Sequence, residues 1–219
     1  MPIARDGFPM LGGTLAVAVI GGLVATFGTG GAGLVGTVVG IAGVVLFLFL
    51  LNFFRDPERS PEGDDQALIT PADGRVIIVK SMQEDRFLSA PATQISIFMS
   101  PLDVHVNRIP IDGEIQSVQY HPGKYFAAYS DKASLDNEQN AVVMRARDGR
   151  SLAFVQIAGF LARRIVCRLT EGEQRARGER MGMIKLGSRV DVFVPGGFDV
   201  AVKVGDRVRA GETILGRLQ

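Results

Sequence analysis

Cysteine, histidine and tryptophan are nearly missing from this chain of 219 residues, which has one Cys, two His and no Trp. A single thiol closes no internal disulfide, and one Cys with two His falls short of the usual zinc ligand sets unless carboxylates join them. Disulfide scaffolds and zinc fingers are excluded, and no metal is expected. Net charge is equally scarce, because 24 Lys and Arg against 23 Asp and Glu leave a formal +1. No global field concentrates a phosphate polymer, and no local basic cluster makes up for it. A nucleic-acid partner is therefore not expected.

Charge is also absent locally. Gly7 to Phe54 holds no charged side chain, while Arg55 to Gln219 has the charge density of an ordinary soluble domain. The uncharged run is about twice the roughly 20 residues that one helix needs to cross a bilayer core. Two helices, Pro9 to Phe27 and Leu34 to Phe54, fit it, with Gly28 to Gly33 as the turn between them. Gly36 and Gly40 lie four apart on one helix face, as do Ala18 and Gly22, a spacing that lets two helices approach closely. Arg5 precedes the first helix and Arg55 and Arg59 follow the second, which puts both ends and the following domain on the cytoplasmic side. A cleaved signal peptide has a much shorter apolar region. A hairpin that spans the bilayer and one that re-enters a single leaflet both fit this stretch.

From Arg55 onward, roughly 165 residues are enough for one buried core. They read as short strands with turn punctuation and no long amphipathic helix. The expected fold is mainly β, a β-rich sandwich or barrel-like domain over 55–219 behind a helical hairpin over 1–54. Candidate strands are Arg75 to Lys80, Gln94 to Met99, Glu114 to Tyr120, Ala141 to Ala146, Leu152 to Ala158, Arg164 to Leu169, Val190 to Val194, Val200 to Val204 and Thr213 to Leu218. Asp73-Gly74, Asp112-Gly113 and Asp148-Gly149 supply turn residues. Tyr125 to Asn140 reads as a loop or short helix, and the mixed charges of Glu171 to Arg180 as a solvated loop.

Four blocks then stand in order: Pro71-Ala72-Asp73-Gly74, Ser100-Pro101-Leu102-Asp103-Val104-His105-Val106-Asn107-Arg108-Ile109-Pro110, Gly159 to Val166, and Gly178 to Asp191 around Leu186-Gly187-Ser188. Together they resemble the pyruvoyl-dependent phosphatidylserine decarboxylases, most closely the short, archaetidylserine-decarboxylase-like type. The resemblance runs over essentially the whole chain, including the Phe53-Phe54-Arg55-Asp56-Pro57 exit from the apolar run.

The resemblance implies a proenzyme that cuts itself between Gly187 and Ser188. Ser188 Oγ attacks the Gly187 carbonyl, an N-to-O acyl shift gives an ester, and β-elimination followed by hydrolysis turns residue 188 into a covalent pyruvoyl cofactor. Gly187, lacking a Cβ, accepts the strained turn this needs. The products are a β chain, 1–187, and an α chain, 188–219, which remain together as an αβ heterodimer and in larger assemblies of it. The ketone forms a Schiff base with the amine of phosphatidylserine and takes up the electrons left by CO2.

His105, in the second block, is implied as the proton-transfer residue of decarboxylation or processing. Longer bacterial relatives carry a second His three residues on, where this chain has Arg108. Its guanidinium is a poor base, so their processing triad does not transfer intact. Asp73 resembles the family's processing Asp, which orients a neighbouring His, although Asp-Gly before a strand is also an ordinary turn. Arg163 and Arg164 are candidates for the substrate phosphodiester or for lipid headgroups. Asn137 lies in a polar segment that resembles one near the substrate headgroup in the family. His121 reads as a turn residue and Cys167 as a buried, inert thiol.

Two other readings stay open. Asp199 to Thr213 resembles the hairpin repeat of biotinyl and lipoyl carriers and membrane-fusion adaptors, which suggests a non-catalytic membrane-anchored module. The Met-Lys-Met turn of a carrier is absent. Alternatively the pyruvoyl chemistry is kept and the substrate is another serine-headgroup lipid. The resemblance places the enzyme at a bacterial plasma membrane, with membrane lipids as its surroundings.

Overall fold

The computed structural model describes residues 2–124, 136–159, 164–185 and 187–219. They fall into two compact units, Met1–Glu58 and Arg59–Gln219.

The first unit is a helical hairpin. A 3-10 turn, Arg5–Gly7, leads into α1, Phe8–Phe27, and α2 follows at Gly31–Phe53. Both helices are apolar on all sides, with Leu15, Ile20, Leu23, Val35, Ile41 and Val45 exposed to the surroundings. A helix without a polar face belongs in lipid or deep in a core, and both are long and apolar enough to cross a membrane. The turn is shorter than expected. Gly30, at φ +60°, reverses the chain, and α2 starts at once, because in apolar surroundings a backbone amide is satisfied only inside a helix.

The two helices pack through glycine. A Cβ on Gly21 would lie 2.4 Å from the Gly40 nitrogen, one on Gly36 2.4 Å from the Ala25 nitrogen, and one on Gly43 2.7 Å from the Ala18 nitrogen. Gly36, Gly40 and Ala18 thus stand at the contact as their spacing suggested. Gly22 does not donate its own face to it: a Cβ there would meet nothing within 4 Å. At the open end, Ala4 N–H donates to Phe54 O at 2.8 Å and Asp56 N–H to Pro2 O at 2.9 Å. Both ends of the hairpin are thereby tied together.

The second unit is mainly β, as expected. Its strands are β1 Ala67–Ile69, β2 Gly74–Glu84, β3 Ala90–Met99, β4 Val106–Arg108, β5 Gly113–His121, β6 Gln139–Ala146, β7 Ser151–Ala158, β8 Ile165–Cys167, β9 Gln174–Arg175, β10 Arg180–Ile184, β11 Ser188–Pro195, β12 Phe198–Val200, β13 Arg207–Val208 and β14 Ile214–Leu218. Eight of them form an antiparallel sheet in the order β13-β2-β3-β11-β7-β6-β5-β9, curled into a half-barrel. Two three-stranded sheets, β1-β14-β12 and β4-β10-β8, complete the unit.

The large sheet buries both faces. Alternation sends Ile95, Ile97, Phe154, Val190 and Val192 into the principal core, together with Met181 and Ile184 of β10 and Leu68 and Leu215 of the other small sheet. The opposite face carries a smaller apolar cluster, Ala92, Ala141, Ala153, Val155, Ile157 and Phe193, against which Phe87 and Leu88 of the β2–β3 connection pack.

The long strands match the sequence pattern, and the short ones differ from it. Val200 to Val204 is not a strand throughout: β12 ends at Val200, and Lys203 N–H donates to Asp206 Oδ2 at 2.9 Å in a turn. Within the charged stretch Glu171 to Arg180, Gln174–Arg175 pairs with β5 and Arg180 opens β10. There Arg175 bonds Glu173 at 2.7 Å and Glu179 at 3.4 Å, so much of the charge is matched internally. The expected loop or helix at Tyr125 to Asn140 lies outside the described residues, save for its last five, of which Gln139 and Asn140 open β6.

The hairpin contact yields a test on neighbouring residues. Gly21→Ala forces backbone apart and should cost about 1–3 kcal/mol, the usual penalty of overpacking. Gly22→Ala should be neutral. Thermal unfolding of the two detergent-solubilised variants beside the parent chain checks this, and equal behaviour of the pair would contradict the packing described.

Candidate active site

The site is assembled around the start of β11. This strand lies between β3 and β7, and Ser188 pairs with Met99 on one side and Ala158 on the other. Sequence reasoning began this strand at Val190. Two flanking partners extend it back to Ser188, which is fully buried. Just ahead, Gly187 sits at φ +70°. A Cβ there would meet nothing within 4 Å, so the demand for glycine is conformational rather than spatial.

Ser188 shares the principal-core face with Val190 and Val192, but its surroundings at this end are polar. Its Oγ lies 3.3 Å from Met99 Sδ, a weak acceptor that leaves the hydroxyl lightly held. Asn107 Nδ2 approaches the same sulfur at 3.8 Å and the Pro71 carbonyl at 3.5 Å. Gln156 Nε2 donates to Asn107 Oδ1 at 2.9 Å, and Asn140 Nδ2 donates to Gln156 Oε1 at 3.4 Å. A row of buried amides thus crosses from β6 through β7 to β4 and ends beside Ser188. Asn107 and Gln156 were not singled out as site residues from the sequence. Their signal was legible only as polar side chains at inward positions of otherwise apolar strands.

His105, immediately before β4, is completely buried. Its Nδ1 lies 3.0 Å from the Asp103 carbonyl. A carbonyl only accepts, so Nδ1 carries a proton, and in the neutral form of the ring the lone pair is on Nε2. Pairing of β4 with β10 sets the backbone beside it, since Ile184 N–H donates to His105 O at 3.4 Å. His105 and Ser188 are therefore attached to the two ends of the short segment that leaves β10 and enters β11.

Asn137 is also brought to this region. It is buried and donates from Nδ2 to Ala158 O at 2.7 Å, on the residue that pairs with Ser188. Arg164 is exposed, and its carbonyl accepts from Lys185 N–H at 3.1 Å beside the same segment. Arg163 lies outside the described residues. Arg108, at the place of the second His of longer relatives, is buried and donates to Gly178 O at 2.9 Å.

Asp73 is placed differently from the expectation that it orients a histidine. Arg59 grips its carboxylate with both terminal nitrogens, at 2.5 and 2.9 Å, and Ala210 N–H donates to it at 2.8 Å. The ring nitrogen of His105 is oriented instead by backbone at Asp103. What links Asp73 to the polar row is its own turn: the adjoining Pro71 carbonyl accepts from Arg108 N–H at 2.9 Å and from the Asn107 amide.

Cys167, half-buried on β8, has its thiol pushed above the ordinary value chiefly by burial, against which a hydrogen bond involving Asn140 pulls down. A raised thiol value means that the fold favours the neutral form. The associated stability is full below the unfolded value and is lost as pH climbs through the folded one. Two outcomes follow. Cys167 should alkylate slowly in the folded protein at pH 8 and rapidly after denaturation, as thiol-labelling kinetics would record. Asp73→Ala, by taking the bidentate carboxylate from Arg59 and leaving it Glu212 at 3.7 Å, should cost about 1–3 kcal/mol, read as a lower midpoint of denaturant unfolding.

The family model described as phosphatidylserine decarboxylase matches residues 46–216, a span that also takes in the carrier-like stretch Asp199 to Thr213. A phosphatidylserine decarboxylase proenzyme from Magnetococcus marinus is 41% identical over 217 residues, which is 99% of this chain and 95% of its relative. Proenzymes of the same name from Oleidesulfovibrio alaskensis and Ralstonia pickettii are each 44% identical, over 97% and 99% of this chain and 93% and 95% of theirs. With matches of this extent, covering both the hairpin and the β unit, the chain belongs to the phosphatidylserine decarboxylase family.

Proposed function

We propose that this chain is a proenzyme that cuts itself between Gly187 and Ser188 and then converts phosphatidylserine to phosphatidylethanolamine and CO2. The observation that carries the reading is the pairing of a left-handed Gly187 with a fully buried Ser188 at the polar end of the half-barrel. Glycine takes up that conformation without strain from a Cβ, which leaves the backbone free to adopt the sharp turn that attack by the following hydroxyl needs. Lightly held by a thioether, Ser188 Oγ is available to attack.

Self-cleavage then balances as follows. The Oγ–C bond forms, the Gly187–Ser188 C–N bond breaks, and the freed amine of residue 188 takes the hydroxyl proton. Loss of the Ser188 Cα proton expels Gly187 as a carboxylate, and water replaces the nitrogen, released as ammonia, to leave the ketone. His105 Nε2, in the tautomer imposed by the Asp103 carbonyl, is the group suited to accept a proton in this sequence. Arg108 is not, because its guanidinium remains protonated. Asp73 acts indirectly, holding the turn whose Pro71 carbonyl positions Asn107.

The site fits a small keto group: residue 188 is enclosed, and Asn107 and Gln156 offer amide hydrogen bonds within a buried setting. When present, the pyruvoyl ketone supplies an electron sink for the pair left behind as the substrate loses CO2. His105 returns a proton to the substrate carbon, and the surrounding burial keeps bulk water from competing. Arg164, with Arg163 preceding it, is assigned to the substrate phosphodiester, and Asn137 to holding the wall beside residue 188.

A diacyl lipid barely dissolves in water, so the apolar hairpin has a plain use: it keeps the enzyme where its substrate diffuses. Arg5, Arg55 and Arg59 flank the hairpin and favour a cytoplasmic β unit at a bacterial plasma membrane. The products of cleavage, 1–187 and 188–219, remain together as an αβ unit through the pairing of β11 with β3 and β7.

Intact mass under denaturing conditions should give two chains, the smaller beginning at residue 188 and lighter by about 17 Da than the unmodified serine-terminated peptide, as the net loss of ammonia on changing CH(NH2)CH2OH to a methyl ketone requires. Ser188→Ala should stay uncut and inactive. His105→Ala should lower turnover on phosphatidylserine by about 10²-fold or more, the usual worth of a proton-transfer group. Assay of an ether-linked serine lipid beside the diacyl one separates the substrates. A cut, active Ser188→Ala chain would end the proposal.

A further inference from the structure

Directly behind Ser188, on the opposite face of β11, lies an ion pair that the chemistry above does not use. Arg189 and Asp191 are 0% and 1% exposed. Arg189 Nε donates to Asp191 Oδ1 at 2.6 Å and its Nη2 to Asp191 Oδ2 at 3.1 Å. The pair also reaches across to β3, where Arg189 Nη2 donates to Ser96 Oγ at 2.8 Å and Gln94 Nε2 donates to Asp191 Oδ2 at 3.1 Å. The same face carries the apolar cluster of Ala92, Val155, Ile157 and Phe193.

Charges buried in this way seldom add stability over apolar residues of similar size. What they add is geometry. Sliding β11 by one residue against β3 would turn Ser188 to the wrong face and carry the Arg189–Asp191 pair into the apolar core, away from Ser96 and Gln94. The bidentate fork holds Arg189 and Asp191 rigid on β11, and the bonds from this pair to Ser96 and Gln94 of β3 pin the register at the residue next to Ser188.

We propose that Arg189 and Asp191 are positioning residues that hold residue 188 in the site after the chain has been cut. The inference rests on the self-cleavage reading. Before the cut, residue 188 is held from both sides by the covalent chain. Afterwards it is a chain terminus, and termini fray unless tied down. One residue separates the new terminus from the clamp, and the clamp is bonded to β3, which stays on the other product chain. Its contribution should accordingly be much larger in the cut enzyme than in the uncut chain.

The test uses the full-length chain in detergent, in the normal and the uncuttable Ser188→Ala backgrounds, each with and without Arg189→Met plus Asp191→Leu. Intact mass first establishes which samples are cut. In the cut enzyme, the double change should speed amide hydrogen exchange over residues 189–192 about tenfold and lower kcat about tenfold with little change in KM, as expected when a reacting group is displaced slightly. In the Ser188→Ala background, the same change should alter exchange by less than about twofold, the covalent chain still limiting local opening. Equal acceleration in both backgrounds, or none in either, overturns the proposal. If the double variant does not fold or cut, Arg189→Lys serves instead: it keeps the charge and loses the fork, and wild-type exchange and kcat in its cut form would equally overturn the proposal. An uncut parent chain would refute the self-cleavage reading itself, and is told apart from the other outcomes by the mass measurement.

Discussion

Everything at the site depends on β11 being an interior strand. Because it is hydrogen-bonded along both edges, to β3 and to β7, its first residue has a fixed place and a fixed facing before any side chain is considered. An edge strand would leave Ser188 free to fray. Paired on both sides, Ser188 is delivered to one face, while Arg189 and Asp191 are delivered to the other. The abrupt backbone change at Gly187 is then unavoidable, since the chain must leave the small β4-β10-β8 sheet and enter the large one within a few residues.

That crossing explains why the polar residues gather where they do. An antiparallel half-barrel lined by Ile, Val, Phe and Leu has no use for amides in its middle, where each would need a partner. At the end near Ser188, Asn140, Gln156 and Asn107 satisfy one another and the Pro71 carbonyl. A row of mutually bonded amides is stiff. Such a row can present hydrogen bonds to a small polar group without rearranging, which is the preorganisation that proton transfer and decarboxylation require.

The charged residues divide by task in the same spirit. Arg59 and Asp73 join the beginning of the β unit to Ala210 near its end. Arg177 performs a similar service, donating to the carbonyls of Gly63, Asp64 and Ala67. Both use arginine's planar fork on fixed acceptors, a geometry that lysine does not supply. In the hairpin the logic is reversed: there is no charge to organise, and glycine contacts bring the helices together by removing side chains from between them.

The amino-acid sequence by itself determined the apolar hairpin, the mainly β character of the rest, and the long strands, because each follows from local periodicity and turn chemistry. It also marked Ser188 and His105, through ordered blocks that resemble a family. It could not give the partners of Asp73, whose carboxylate meets Arg59 and Ala210 and not a histidine, since that contact joins residues far apart in the chain. Nor could it give the short strands β4 and β10, which are too brief to show alternation and exist because they pair with each other. It located the helix contact near Gly22, and close packing chose Gly21. The amide row and the buried Arg189–Asp191 pair were decided by the tertiary structure alone, because only the register between strands determines which polar side chains face one another and which are shut away from water.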